Sequence, residues 1–274
     1  HEHALRKTLI RLSHLLYERN YLVAMDGNVS ARLPDGNVLC SRAGCHKGFL
    51  EDRDLVVVDM KGRLVHGAGS PTSEIFMHLA CYEERRDVHS VLHAHPPHAI
   101  AFTLADHSLE RLVLPEVVLT IGTVPTIPYA TTGTHDLANS LRPYVRERDV
   151  VMMDRHGAVA LGRDPTDAFC KLETLEHTAR IIVLARALGG VKELPADESI
   201  RLRSMGLRRY GGPPLAVAQA DGPNADLPRR LLSSNDPYPE PLALAPRADA
   251  LAGQSDEVRA MARAIHREVE AVLG

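Results

Sequence analysis

The stretch Val88-His89-Ser90-Val91-Leu92-His93-Ala94-His95-Pro96-Pro97 carries the strongest structural signal in the chain. Residues 88–93, with Val88, Val91 and Leu92, read as a buried strand. The two prolines end it, because proline lacks a backbone donor and fixes φ. Residues two apart in an extended chain share a face, so His93 and His95 project toward one point. That is chelating spacing, and imidazole is a favoured ligand of zinc and neighbouring metals. The same pair also suits two hydrogen-bonded groups at a strand end, so the question turns on a third ligand. His156, in the turn Asp154-Arg155-His156-Gly157 between the apolar runs 150–153 and 158–161, is the natural candidate; His78, His89 and His98 compete with it. Three imidazoles with an open position are the pattern of a catalytic zinc site rather than a closed structural one.

Working outward, Pro71-Thr72-Ser73-Glu74 predicts a helix capped by Thr72 or Ser73 and running to about residue 86. Glu74 then falls in its first turn, where the helix dipole favours a carboxylate. It is a capping charge, a metal ligand, a general base, or more than one of these. Amides at this helix start, the Thr72 and Ser73 hydroxyls and the Gly27-Asn28 and Gly44 backbones could form an anion cradle. Leu5, Leu9, Leu12 and Leu16 mark an amphipathic helix. Strands are expected at 29–33, 38–41 and 55–59, with Pro34-Asp35-Gly36-Asn37 as a hairpin turn. A helix starts just past Pro96-Pro97, residues 112–129 read as two short strands or extended segments, and further helices are expected at 134–146 and 165–188. Strands interleaved with helices predict an α/β layered domain over residues 1–210.

The chain has 274 residues, with 32 Lys plus Arg against 35 Asp plus Glu, so its net charge of -3 offers no footprint for nucleic acid or an anionic membrane. Aromatic residues are 4% and Trp is absent, which removes a stacking platform for bases. Apolar runs fall short of the roughly 20 residues a membrane helix needs, and no signal-like segment opens the chain. The four cysteines form no CxxC pair, and a reduced, cytoplasmic protein is expected. Eight of the eighteen prolines lie between Pro213 and Pro246, so residues 211–274 are expected to form an extended arm with a terminal helix at 256–273.

Gly27-Asn28-Val29-Ser30-Ala31-Arg32, Thr72-Ser73-Glu74 with His78, Arg86-Asp87-Val88 leading to His93-Ala94-His95, and His156-Gly157 resemble the class II aldolase/adducin family in order and spacing over about residues 5–210. Pro128-Tyr129-Ala130-Thr131 and Gly133-Thr134 are most similar to its L-fuculose-1-phosphate aldolase branch. The resemblance implies a three-layer α/β/α domain around a mostly antiparallel sheet, followed by the Pro-rich C-terminal extension. It implies that His93, His95 and His156 bind Zn2+, or another divalent ion such as Mn2+ or Co2+. Glu74 would be a fourth ligand in the empty site and the acid/base once substrate displaces it. Gly27, Asn28, Gly44, Thr72 and Ser73 match the positions that hold the substrate phosphate.

The implied activity is aldolase (lyase) cleavage of a phosphorylated ketose, by retro-aldol chemistry through a metal-stabilised enediolate. The partner is thus a small sugar phosphate, and the assembly a homotetramer with active sites at subunit boundaries. Epimerase or dehydratase chemistry on the same site, or a non-catalytic adducin-like scaffold, are the alternatives; retention of the three histidines and Glu74 counts against the scaffold. The chain departs from the family where Thr-Pro-Ser/Thr-Gly becomes Ser41-Arg42-Ala43-Gly44: Ala43 in the phosphate loop lacks the hydroxyl, and Arg42, His46 or Lys47 could compensate. A catalytic tyrosine of some relatives is matched only by Leu114-Pro115-Glu116, and a C-terminal one by Met205, with Tyr210 nearby.

Overall fold

A computed structural model describes residues 2–210. The expected Pro-rich arm and terminal helix lie outside the described residues. Eight strands form one sheet in the order β4-β3-β2-β1-β5-β8-β7-β6. They are β1 (Asn28–Arg32), β2 (Val38–Ser41), β3 (Leu55–Val58), β4 (Leu64–His66), β5 (Ser90–Ala94), β6 (Thr126–Ile127), β7 (Val150–Met153) and β8 (Gly157–Gly162). Every pairing is antiparallel except the parallel β6–β7 pair, which is joined through helix α5 (His135–Val145). The sheet is therefore mostly antiparallel, and its inner strands are buried on both faces, which explains why they read as continuous apolar runs.

Side-chain parity separates two cores. One face carries Val29, Ala31, Leu92, Ala94, Ala158 and Ala160, packed under α1 (Glu2–Glu18), α3 (Pro97–Leu104), α4 (Pro115–Thr120) and α6 (Pro165–Ala187). The other carries Val56, Val91, Val151 and Val159, covered by α2 (Ile75–Glu84) and α5. This is the three-layer α/β/α arrangement. The alanines of β5 and β8 let α6 lie close over the centre of the sheet, while α1 supplies the leucine stripe Leu9, Leu12 and Leu16.

On the α2 side, β1 breaks the apolar rule with Asn28, Ser30 and Arg32. All three bond to α2 or the residues flanking it: Asn28 to Glu74 and His78, Ser30 to His78 and Tyr82, Arg32 to the Tyr82 carbonyl. Asn28 and Ser30 are tolerated there because these bonds satisfy them, whereas Arg32 bonds through its terminal nitrogen and leaves its buried Nε without a partner among the described residues.

Three expectations require correction. Residues 112–129 are not two strands: α4 occupies 115–120, with Leu114 as its extended N-cap and Pro115 at its start, and only Thr126–Ile127 is a strand. Helix formation here is set by packing of Val117 and Ile121 into the core. The helix after Pro71 is not capped by Thr72 or Ser73. It starts at Ile75, and Glu74 is the N-cap residue rather than part of the first turn, with no side-chain cap bond. The backbone there is already committed to the sheet edge, since Thr72 N–H donates to the Ser41 carbonyl and Arg42 bridges to Pro71. A seventh helix, α7 (Ala196–Tyr210), has no counterpart among the expected elements; it packs on α4.

Candidate metal centre and its cavity

The three histidines meet where β5 and β8 lie side by side. His93 and His95 share a face across the end of β5. His156 enters from the β7–β8 turn, where Arg155 adopts a φ of 54° and the His156 amide bonds back to Met153. One ligand atom from each imidazole lies within 4.8 Å of the others. His93 Nδ1 faces the Ala158 carbonyl at 3.0 Å, so Nδ1–H donates to it and Nε2 points inward with its lone pair. That Nε2 lies 3.1 Å from His95 Nε2 and 3.2 Å from Glu74 Oε2, while Glu74 Oε1 lies 3.3 Å from His156 Nε2. Acceptors turned toward one another at such distances call for a positive charge among them, a metal ion or a proton on His93. Glu74 Oε1 and His156 Nδ1 are also buried with no hydrogen-bond partner among the described residues. The donor set fits a divalent metal of the zinc class.

The electrostatics hold Glu74, His95 and His156 in their ligating forms, while Glu74 favours a positive charge at His93. Burial would raise the Glu74 carboxyl. The His93 charge, hydrogen bonds from His93 and Asn28, and the His156 charge outweigh it and hold Glu74 well below the usual carboxylate range. His93 is pushed up despite its burial, by the adjacent Glu74 carboxylate. Burial, reinforced by His93, lowers His95 to about 3 and His156 to about 4, so both rings are neutral at physiological pH.

A cavity of about 300 Å³ opens over this cluster. Its walls bring together all of the residues expected to hold an anion, Gly27, Asn28, Ala43, Gly44, Thr72 and Ser73, beside Glu74, His95 and His156; His93 is fully buried beneath. Gly27 sits at φ +63° with its α-carbon so close to Leu22 and the His93 carbonyl that no Cβ fits. Of the three candidate compensating cations, Arg42 lines the cavity with its guanidinium anchored on Asp54, at 2.8 and 2.7 Å. Lys47 also reaches the wall, but its ammonium is spent on the Met25 and Cys45 carbonyls. His46 accepts from the Gly48 amide at the start of a short 3-10 turn.

The competing histidines go elsewhere. His98 pairs with the buried Glu176, which also accepts from the first amides of α3, at His98 and Ala99. His89 is exposed ahead of β5, and His78 is buried in the β1–α2 hydrogen-bond chain. A larger cleft of about 550 Å³ lies between residues 19–21, the start of α3, and α6, but its ion pairs, Arg19–Glu173 and His98–Glu176, are closed on themselves. Asp26 and Thr132 also line the cavity, beyond the residues expected there; Asp26 lies 3.7 Å from His95 Nδ1. The adjacency of Asp26 to Gly27-Asn28 was the available signal for the first, and nothing local marks the second. No described helix is long and apolar enough to cross a membrane.

Comparison with known proteins bears on the same region. Residues 7–183 match the family described as the class II aldolase and adducin N-terminal domain. An L-fuculose phosphate aldolase of Methanococcus maripaludis is 36% identical over 173 residues, which are 63% of this chain and 92% of that protein. A 3-oxo-tetronate 4-phosphate decarboxylase of Escherichia coli is 31% identical over 209 residues, 74% of this chain and 97% of that one. The crystal structure of an L-fuculose-1-phosphate aldolase from Thermus thermophilus superposes with a TM-score of 0.62 at 26% identity, covering 70% of this chain and 98% of the other.

Proposed function

Because the chain belongs to the class II aldolase and adducin family, we propose that it is a metal-dependent carbon–carbon lyase acting on a phosphorylated ketose. The convergence of His93, His95, His156 and Glu74 on one point of the cavity carries this reading. A divalent ion, zinc by this donor set, would be held by the three imidazoles and Glu74, and would supply Lewis acidity toward a carbonyl and its neighbouring hydroxyl. Gly27, Asn28, Ala43, Gly44, Thr72 and Ser73 line the part of the cavity that takes the phosphate, fixing the reacting carbons against Glu74. Glu74 is ionised at rest and its Oε1 has no protein donor, so it is placed to carry a proton. In cleavage the hydroxyl on the departing carbon gives up its proton as the carbon–carbon bond breaks and the aldehyde leaves. Glu74, having taken up a proton, delivers one to the carbon that keeps the electron pair, so no net proton is gained or lost; in synthesis it removes that proton. The catalytic unit is residues 1–210. The reading includes a cytoplasmic homotetramer with sites at subunit boundaries.

The similarity to a 3-oxo-tetronate 4-phosphate decarboxylase favours one second reading, in which the departing group is carbon dioxide. The same acid/base and phosphate grip serve both reactions, since each leaves an electron pair on a carbon next to a carbonyl. Zinc-loaded protein incubated with fuculose-, ribulose- and methylthioribulose-phosphates and with 3-oxo-tetronate 4-phosphate separates them. Released aldehyde supports the lyase reading, carbon dioxide alone supports the second, and no product from any of the four rejects both.

A further inference from the structure

We propose that His78 is a positioning residue: a one-directional chain of buried hydrogen bonds, Tyr82 to Ser30 to His78 to Asn28, locks the Asn28 amide so that its N–H groups face Glu74 and the cavity. The inference rests on Glu74 being the carboxylate of the site and not on which bond the enzyme breaks.

The direction is set from one end. An ionised carboxylate can only accept, so Asn28 Nδ2, 2.9 Å from Glu74 Oε2, donates to it. The Asn28 carbonyl oxygen is thereby turned to His78 Nε2, with which it makes a short contact. That oxygen also only accepts, so Nε2 carries the hydrogen. His78 is fully buried, its two nitrogens meet only Ser30 and Asn28, and burial lowers it, so the ring is neutral and Nδ1 is bare. Nδ1 therefore accepts from the Ser30 hydroxyl at 2.7 Å. Ser30 Oγ, having given its hydrogen, accepts from Tyr82 O–H at 2.7 Å. Tyr82 is 1% exposed and lies under the Arg32 guanidinium, 4.9 Å from the ring centroid. Ser30 Oγ also lies 3.4 Å from the Val91 carbonyl, a much longer contact than the 2.7 Å to His78 Nδ1, so with the hydroxyl hydrogen on the shorter contact each link has one polarity. Reversing the Asn28 amide would set two acceptors against each other at the 2.9 Å contact and leave His78 Nε2–H without an acceptor, a cost that falls in a region closed to water. Asn28 also lines the cavity, so the same lock presents its remaining N–H, rather than its carbonyl, to an anion.

The test uses the full chain and needs no turnover. Nitrogen-15 histidine NMR of the unaltered protein should show His78 as the neutral Nε2–H tautomer; an Nδ1–H tautomer overturns the proposal, and this readout stands even if a variant fails to fold. Among variants, His78→Gln can still donate to Asn28 and accept from Ser30, and should keep affinity for inorganic phosphate within about threefold. His78→Leu should lose about tenfold or more. In an Asn28→Ala background His78→Leu should cost nothing further, because the effect runs through that amide. A full additional loss in that background, or unchanged phosphate affinity in folded His78→Leu, overturns the assignment.

Discussion

Gly157 offers a sharp probe of the centre without touching any ligand. A Cβ added there would stand 2.6 Å from the Ala94 carbonyl oxygen, 2.7 Å from His95 Cδ2 and 3.0 Å from His93 Cε1. Ordinary contact begins at 3.4 Å, so the backbone oxygen and the His95 ring would each have to retreat by roughly 0.7–0.8 Å. The oxygen belongs to the strand that carries both imidazoles, and it cannot move alone. Overpacking of this kind costs about 1–3 kcal/mol of stability, and a displacement approaching 1 Å at a reacting centre costs on the order of a hundredfold in rate. Gly157→Ala should therefore lower zinc affinity, read by competition with a chromogenic chelator, and reduce kcat by about two orders of magnitude. Gly162→Ala is the matched control. It overpacks the far end of the same strand against Ala168 and the Asp164 carbonyl, so it should lose stability while the folded fraction binds zinc normally. If Gly157→Ala binds zinc as the parent does, the imidazoles are not held where the geometry places them, and their convergence on one ion is refuted.

Other expectations concern the same centre and its surroundings. Glu74→Gln should retain fold and metal yet lose about 10²–10⁴-fold in turnover; ordinary activity would remove Glu74 as the acid/base. His95→Ala should come out of dialysis without stoichiometric metal, measured by elemental analysis, whereas retained metal would place the ion elsewhere. Arg42→Met should raise KM for a phosphorylated substrate by about tenfold or more with kcat little changed, because a charge-assisted hydrogen bond to the bound anion is lost in both ground and transition states; an unchanged KM would leave the anion to the backbone and hydroxyls alone. Asp167 accepts from the Arg163 amide at 2.9 Å and from Lys171 at 3.0 Å; burial opposes ionisation, but Lys171 and these bonds lower its carboxyl below the ordinary aspartate value. A lowered folded-state value contributes stability above the ordinary carboxylate range that is lost as pH falls through the lowered value. Asp167→Asn should thus reduce Tm at neutral pH by about 2–4 °C, with the difference vanishing toward about pH 2–3; a gap that persists there would refute the charge argument.

What could be read in advance tracks the range of the forces involved. The parity of His93 and His95 is a property of three consecutive residues, and the placement of His156 needs only a turn between two apolar runs; both were legible. Glu74 was found, but its place ahead of the helix was not, because residues 71–74 are directed by bridges to β2, about thirty residues earlier. Helices α4 and α7 were missed for a related reason. Each packs on the other, and the Val/Leu/Thr composition of residues 112–129 favours strand when that partner is left out. His78 entered as a rival ligand, since spacing says that a ring is near but not which atoms fill its two nitrogens.

The placement of the four groups divides them by the element that holds them. His93 stands on β5, a central strand hydrogen-bonded along both edges, His95 one residue past its end with its amide bonded to the Tyr21 carbonyl, and His156 on a tight turn whose amide is tied down. Glu74 comes from a different element, the N-cap position ahead of α2. A substrate that must make room for its own oxygens would meet three imidazoles from the strand ends and one carboxylate from α2, and in the proposed reaction it is the carboxylate that yields its place and moves the proton.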